Sequence, residues 1–483
     1  MSNSVKKNFS YNLILTLCGY LFPFITYPYV SRVLGVQNIG ICNFADSIIN
    51  YFVLFSMLGV GSFGVREIAR VKEDLERRSI VFTNLIFINL ITTLFAIVVL
   101  SICIITVHKF QDYRSFLFVG VAKLLFNVFL IEWFYQGIQD FRYITIRSLI
   151  VRVLYVVSIF LFIKSPEDTF LYFVVTTSVT LFNASVNWYH SRQYIKIDRH
   201  SIDWRIYVIP IITFGYYRII TSMYTTFNTV FLGFVSNDTE VGYFATASKL
   251  YVIIMSVLTA FTTVMVPKVS ELLYTKQHER LQWIANQTLS VVTIISLPFI
   301  IFCQFCAPQI IRILAGPGYE GAIIPFRIVI CLLLVIGFEQ ILIQQFLMAS
   351  IKNKPILIVC TIGAVTGVGL NFLLTPSLFS AGSSIAWGVS EIMVLLFGAI
   401  FVKRNIGVVV QKKEILTNFL LSLLYIVPLY YISQLNIDSI WINLLFSGVV
   451  TIMIFLVINL YLHKNQQIVN IIQTAKHVIK REK

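Results

Sequence analysis

Apolar residues in this chain come in long runs, and the polar stretches between them are short. The runs are roughly 20 residues or longer, the length a helix needs to cross about 30 Å of hydrocarbon. In lipid a backbone must satisfy its own N–H and C=O groups, so each run is expected to be helical. Fourteen spans are predicted, at residues 9–33, 39–63, 80–107, 115–138, 144–163, 169–190, 206–234, 241–266, 284–308, 322–350, 356–376, 381–402, 415–433 and 439–462. Span 206–234 is the most polar of them and is expected to be broken or flexible. Beyond residue 463 the pattern changes. Ile468, Ile471, Ile472, Ala475, Val478 and Ile479 recur at helical spacing among Lys and Gln. That spacing predicts a basic amphipathic helix lying on the inner leaflet.

Composition supports lipid as the solvent. Of 483 residues, 12% are charged and 58% hydrophobic, with mean hydropathy +0.83. A soluble domain carries about 25% charged residues, so this chain lacks the charge to cover a water-facing surface. The net charge of +15 does not point to nucleic acid, because the cations are not gathered on one soluble face. They follow the loops instead. Of 37 Lys and Arg, 27 fall at the termini and in alternate loops, while the opposite ends hold only Arg32, Lys109, Arg114, Lys164 and Arg312. This bias places both termini in the cytoplasm. The first run, Phe9 to Leu34, is too long for a signal core and lacks a cleavage site, so it reads as an uncleaved span. All seven Cys lie in apolar runs, and Cys303 and Cys306 read as small packing residues.

A weak internal repeat organises the spans. Leu34-Gly35, a polar turn and Gly40 are followed by Asn43-Phe44-Ala45-Asp46-Ser47. Leu232-Gly233, a polar turn and Gly242 are followed by Phe244-Ala245-Thr246-Ala247-Ser248-Lys249. Six spans per copy give two like-oriented lobes around a cleft, which suits alternating access. The expected division is residues 1–200 for the first lobe, 201–410 for the second, 411–463 for two further spans, and 464–483 for the tail.

Beyond the first and last turn of each span, nine charges fall inside: Asp46, Lys123, Glu132, Arg152, Arg218, Lys249, Arg327, Glu339 and Glu391. Each costs roughly 2.5–3.5 kcal/mol at mid-bilayer and needs a partner or a wet cavity. Glu132 and Arg152 sit at matching depth on either side of a short turn, which predicts a structural ion pair. Asp46 and Lys249 lie at matching depth in the two copies of the repeat, and are expected to form a gate pair or coupling site. Glu339 and Glu391 are further candidates for gating or ion coupling. Arg218 lies among Thr213, Thr221, Ser222, Thr225, Thr226 and Asn228. With Lys249 it makes the second lobe cationic, which suits an anion, phosphate above all. No nucleotide-binding or hydrolase motif is present, and the His residues stand in loops or at span ends. The expectation is therefore a transporter rather than an enzyme, with no cofactor and no metal site.

The residues resemble a known family. Lys6-Lys7-Asn8-Phe9 opens span one, which continues into Pro28-Tyr29-Val30-Ser31-Arg32-Val33-Leu34-Gly35. Gly40-Ile41-Cys42-Asn43-Phe44-Ala45 follows, and Gly59-Val60-Gly61-Ser62-Phe63-Gly64-Val65-Arg66-Glu67-Ile68-Ala69-Arg70 closes span two. Together with Val241-Gly242-Tyr243-Phe244-Ala245-Thr246-Ala247-Ser248-Lys249-Leu250, they resemble the Wzx-type polysaccharide repeat-unit flippases for O-antigen or capsule. These belong to the multidrug/oligosaccharidyl-lipid/polysaccharide superfamily. The resemblance implies a fourteen-span protein of the bacterial inner membrane that moves an undecaprenyl-pyrophosphate-linked oligosaccharide. It also implies partners: the lipid-linked oligosaccharide, the bilayer, a polysaccharide polymerase and chain-length machinery, and no nucleic acid. Arg218 and Lys249 match the family's cationic lumen, with Arg32 and Lys123 the only first-lobe cations available for it. The span-two acid of superfamily relatives is matched by Asp46.

Other readings stay open. A drug/cation antiporter of the same superfamily would need a more acidic lining. A peptidoglycan-precursor flippase is poorly separated by sequence. A membrane-embedded glycosyltransferase or polymerase would use a large charged outer loop, and the outer loops here are short.

Overall fold

A computed structural model describes residues 3–196, 203–348, 353–435 and 439–459. Among the described residues every regular element is helical. The N-terminal half holds α1 (Asn3–Met57), α2 (Val60–Arg70), α3 (Leu75–Thr106), α4 (His108–Asp112), α5 (Arg114–Asn127), α6 (Glu132–Gly137), α7 (Phe141–Phe162) and α8 (Thr169–Ser191). The C-terminal half holds α9 (Arg205–Ser222), α10 (Phe227–Val235), α11 (Asp238–Tyr274), α12 (His278–Leu314), α13 (Ile323–Ile330) and α14 (Leu332–Glu339). A π-helical stretch, Gln340–Leu347, continues α14. Then come α15 (Asn353–Ile406), α16 (Lys412–Ser422), α17 (Ile426–Gln434) and α18 (Ile440–Val457). The amphipathic helix expected at 464–483 lies outside the described residues.

Among the described residues eleven helical stretches are long and apolar enough to cross a membrane, and the bent pair α9–α10, taken as one span, makes a twelfth. Two of the eleven, Leu21–Met57 and Lys354–Ile406, each cover two of the spans expected from sequence. α1 is two helices joined at Gly35 (φ 77°, ψ 166°), where glycine carries a positive φ without a Cβ penalty. α15 is two helices joined at Phe379 (φ 48°, ψ −123°), a conformation unfavourable for an aromatic residue. It is braced from α11: the Ser380 backbone N–H donates to the Glu240 carboxylate at 3.1 Å, and the Ser380 hydroxyl donates to the same oxygen. The most polar span breaks as its composition suggests, with a 49° bend between α9 and α10.

Helix starts are set by side-chain caps at the polar turns. Asp74 accepts from the Arg77 N–H, Asp140 from Tyr143, and Asn237 from Glu240. The largest apolar cluster joins both halves of the chain, running from Phe44 and Leu117 to Leu289, Phe346 and Val402. A smaller cluster around Phe82, Trp133, Phe134 and Tyr135 packs α2, α3 and α6 together. Buried polar groups are joined rather than orphaned where α10 meets α15. Asn371 donates to Asn228 at 2.7 Å, Thr375 donates to Asn371 at 2.9 Å, and Thr375 lies 3.1 Å from Ser383. Such interhelical bonds act as glue where no hydrophobic force holds helices together in lipid.

Two glycine contacts bring the halves of the chain together. A Cβ on Gly40 would lie 1.7 Å from the Asp238 carbonyl oxygen, and one on Gly242 would lie 2.2 Å from that of Val36. Further along, a Cβ on Gly59 would meet the Ile211 carbonyl oxygen at 2.1 Å. The first contact seats α11 directly against the second half of α1, and that seam positions the site.

Candidate functional site

The Gly40–Gly242 seam carries a cavity of about 160 Å³. α1 contributes Cys42, Asn43 and Asp46, α5 contributes Lys123, α8 contributes Tyr172 and Thr177, and α11 contributes Lys249. Lys123 Nζ lies 2.5 Å from Asp46 Oδ1 and donates to Asn50 Oδ1 at 3.0 Å. Asn50, one turn after Asp46, donates to the other carboxylate oxygen at 2.9 Å. Asp46 is therefore held on both oxygens. Lys249 reaches in from the other half of the chain, with its ammonium 5.1 Å from the centroid of the Tyr27 ring. Tyr27 is fixed in turn, its hydroxyl 2.6 Å from Thr246 Oγ1.

The charge balance is the informative feature. The walls offer two ammonium groups and one carboxylate. Among the described residues Lys249 has no carboxylate within ion-pair distance. The cavity thus holds one cation in excess, beside hydroxyl and amide groups, and it suits an anionic group. At about 160 Å³ it is smaller than the roughly 300–1,000 Å³ typical of sites that enclose a drug-sized ligand. It takes a head group or a few waters, and an attached sugar would have to lie elsewhere in this conformation.

The sequence-derived candidates divide. Asp46, Lys123 and Lys249 come together in one cavity. The expected Asp46–Lys249 pair is not formed: Asp46 pairs with Lys123 on α5, while Lys249 faces Tyr27. Arg32 does not join the cavity. Its guanidinium donates to the Pro28 carbonyl at 2.6 Å and to the Ile313 carbonyl, which ties α1 to the end of α12. Arg218 is exposed on α9 near Gly61, away from Lys249's cavity. The hydroxyls around Arg218 turn back on their own helix: Thr213, Thr221 and Thr225 each donate to the carbonyl four residues earlier. The polar wall expected on that span is largely self-satisfied.

The predicted Glu132–Arg152 pair needs correction. Glu132 pairs with Arg147 at 2.6 Å, and Arg147 also donates to Asn187 and Ser148. Arg152 instead donates to the Leu15 carbonyl at 3.1 Å. Arg147 lies one and a half turns nearer the short turn before α7, and from there it reaches the start of α6. In the C-terminal half, Glu339 and Glu391 adjoin. Glu391 is 4% exposed and accepts from Trp387 Nε1 at 2.9 Å. Neither has a Lys or Arg within ion-pair distance among the described residues. Sequence reasoning missed Tyr27, Thr246 and Asn50. Only Asn50 was legible, being four residues beyond Asp46 on one helical face.

The chain is similar to several known proteins. The polysaccharide biosynthesis protein family matches residues 5–273, and the MatE family matches residues 216–373. A putative O-antigen transporter of Escherichia coli (strain K12) is 22% identical over 414 residues, covering 83% of this chain and 97% of that protein. A putative O-antigen transporter of Shigella dysenteriae is 22% identical over 400 residues, covering 81% of this chain and 98% of that protein. Among solved structures, the lipid II flippase MurJ in an inward closed conformation superposes with a TM-score of 0.75 at 14% identity, covering 93% of this chain and 98% of that one. An inward-facing multidrug resistance MATE transporter of the MOP superfamily gives a TM-score of 0.62 at 17% identity, covering 80% of this chain and 94% of that one.

Proposed function

The chain belongs to the polysaccharide biosynthesis protein family, and on that premise we propose that it is a flippase for lipid-linked oligosaccharide repeat units. It moves an undecaprenyl-pyrophosphate-linked sugar across the bacterial inner membrane by alternating access, for surface polysaccharide assembly. The chain crosses fourteen times, as two lobes of six spans and two further spans, with both termini in the cytoplasm. The observation that carries the reading is the excess cation at the seam. Lys249 enters a polar cavity already containing a satisfied Asp46–Lys123 pair. A pyrophosphate brings the negative charge this cavity lacks, and charge-assisted hydrogen bonds to ammonium groups are the strong ones. A cationic drug would meet repulsion there. Arg218, exposed on α9, is a second anion contact along the path. The Gly40–Gly242 seam is the gate that opens toward the outer leaflet, and Asp46 keeps the cavity's net charge modest enough for product to leave.

The test works whichever sugar is carried. The gene is deleted in its own host, and surface glycan and the cytoplasmic pool of lipid-linked sugar are measured in the same cells. Loss of surface glycan with accumulation of a lipid-pyrophosphate-linked unit is expected. Unchanged glycan and unchanged lipid intermediates would overturn the proposal. Accumulation of peptidoglycan precursor instead would transfer the assignment to that substrate.

A further inference from the structure

α7 and α8 leave a long groove between them on the surface of the N-terminal half. One part of it, about 550 Å³, begins at Asp140, Arg142, His190 and Gln193 and runs up past Ile146, Ile150 and Val186. A second part, about 280 Å³, continues along the same helix pair past Leu154, Ser158 and Val179. The two share Val151 and Phe182, so they form one channel along the helices. From Ile146 to Ser158 the apolar stretch extends about 18 Å at helical rise, somewhat more than half of the roughly 30 Å hydrocarbon core.

The end of the groove at Arg142 has a different chemistry. Arg142 and Gln193 are exposed there. The His190 ring stacks on Tyr143 at 3.8 Å and 12°, and Gln193 holds His190 at 2.7 Å. One turn further in, Arg147 is 5% exposed and lines the same groove. Its terminal nitrogens are bonded to Glu132, Asn187 and Ser148, but its Nε has no acceptor. The Asp140 carboxylate on the rim is already engaged, capping Tyr143 N–H at 3.2 Å and accepting from the Tyr194 hydroxyl at 3.1 Å. The N-terminus of α7, with its partial positive charge, opens on the same spot.

We propose that this groove is a binding site for an anionic phospholipid, with the phosphate at Arg142, Arg147 and Gln193 and one acyl chain between α7 and α8. The lipid is a bilayer component distinct from the transported cargo, because the groove is separate from the Lys249 cavity at the α1–α11 seam. Charge decides the head group: Arg142 is exposed without an ion pair among the described residues, the α7 N-terminus lies beside it, and both nearby carboxylates are already bonded, Asp140 to Tyr143 and Tyr194 and Glu132 to Arg147. Shape decides the tail, since a groove with Ile146, Ile150 and Phe182 exposed along it matches a chain better than a flat helix face does.

The test uses the full-length protein purified in mild detergent, with bound lipid counted by native mass spectrometry. Phosphatidylglycerol and phosphatidylcholine of identical acyl chains are offered in equal amounts. The wild type is expected to retain phosphatidylglycerol about five-fold better, the scale of one basic residue at an anionic membrane surface. Arg142→Gln with Gln193→Glu should erase that preference, and Ile150→Trp should lower retention of both lipids by filling the groove. Ile102→Trp, a lipid-facing change on α3, serves as the control and should change neither. Equal retention of the two lipids by the wild type, or unchanged phosphatidylglycerol retention in both groove variants, would overturn the proposal. So would undecaprenyl phosphate displacing phosphatidylglycerol from the wild type, which would make the groove a cargo site.

Discussion

Around Asp46, charges of both signs meet from three helices, and each is held by a neighbour: Lys123 by Asp46 and Asn50, Lys249 by the Tyr27 ring. Around Glu391, two carboxyls meet with no cation beside them among the described residues: Glu391 accepts from the Trp387 N–H and is hydrogen-bonded to Glu339. The difference separates two uses of buried charge. A mixed cluster with one cation left over attracts an anion and pins helices together. A hydrogen-bonded carboxyl pair binds nothing anionic, and two carboxyls in one buried site share a proton rather than both carrying charge. Transport of a pyrophosphate should therefore depend sharply on the first cluster, while folding should tolerate loss of one acid from the second.

The largest effect is expected at Lys249. Lys249→Glu reverses the sign of the excess charge and leaves two carboxylates facing one ammonium. Complementation of surface glycan in the deletion strain should fall on the order of 100-fold, the scale of about 3 kcal/mol for an uncompensated buried charge. Lys249→Arg, which keeps the charge, should retain most of the signal. Full activity in Lys249→Glu would remove this cavity from the transport path.

Next come the Glu132–Arg147 variants, which probe structure without touching the cavity. Arg147 is the buried partner, at 4% side-chain exposure against 40% for Glu132. Removing Glu132 strands a buried guanidinium, whereas removing Arg147 leaves a carboxylate that water reaches. Glu132→Gln should cost about 3 kcal/mol and Arg147→Met about 1 kcal/mol, read from unfolding in detergent. Arg152→Ala should cost less than Glu132→Gln, since Arg152 bonds a backbone carbonyl rather than Glu132. The reverse order would restore the pairing expected from sequence.

That correction shows what a sequence of this kind reveals. Depth along a span was legible: Glu132 and its true partner do lie near the same short turn, as residue counting predicted. The partner's identity was not, because Arg147 and Arg152 are separated by about 7.5 Å of helix. A side chain as long as Arg bridges that distance from either position. The same holds for Asp46. The glycine turns at Gly40 and Gly242 matched Asp46 and Lys249 in depth, and both line one cavity. They said nothing of α5, whose rotation about its own axis brings Lys123 to Asp46 first. Helical character followed from apolar run length alone. The break in the most polar span followed from its composition, and its 49° bend bears this out. Arg32 and Arg218 show the limit. Residue type marked both as lumen cations, yet Arg32 binds the Pro28 and Ile313 carbonyls and Arg218 stands apart from Lys249.

A seam variant should have an intermediate effect. Gly40→Ala places a methyl 1.7 Å from the Asp238 carbonyl oxygen, and overpacking of this kind costs about 1–3 kcal/mol. The cost falls only on the state in which α1 and α11 touch. Gly40→Ala should therefore hold the seam apart, raising the labelling of a cysteine placed at Asn43 by a membrane-impermeant reagent and slowing transport. Unchanged labelling would mean that the seam does not open at this contact.

The smallest effect is expected from the acid pair, and it is the sharpest test of the comparison. Glu339→Gln keeps the shape of the side chain and leaves a hydrogen-bond donor beside Glu391. Unfolding stability in detergent should change by less than about 1 kcal/mol, because the amide can still donate to Glu391. Asp46→Asn is the matched change in the mixed cluster. It leaves Lys123 without its carboxylate and should cost more, about 1–2 kcal/mol, since Asp46 is half-exposed and water recovers part of the loss. If Glu339→Gln proves as costly as Asp46→Asn, the two acids are held by something that both residues need. The C-terminal half would then bind a cation between them, and the contrast between the two clusters would be one of ligand sign rather than of folding.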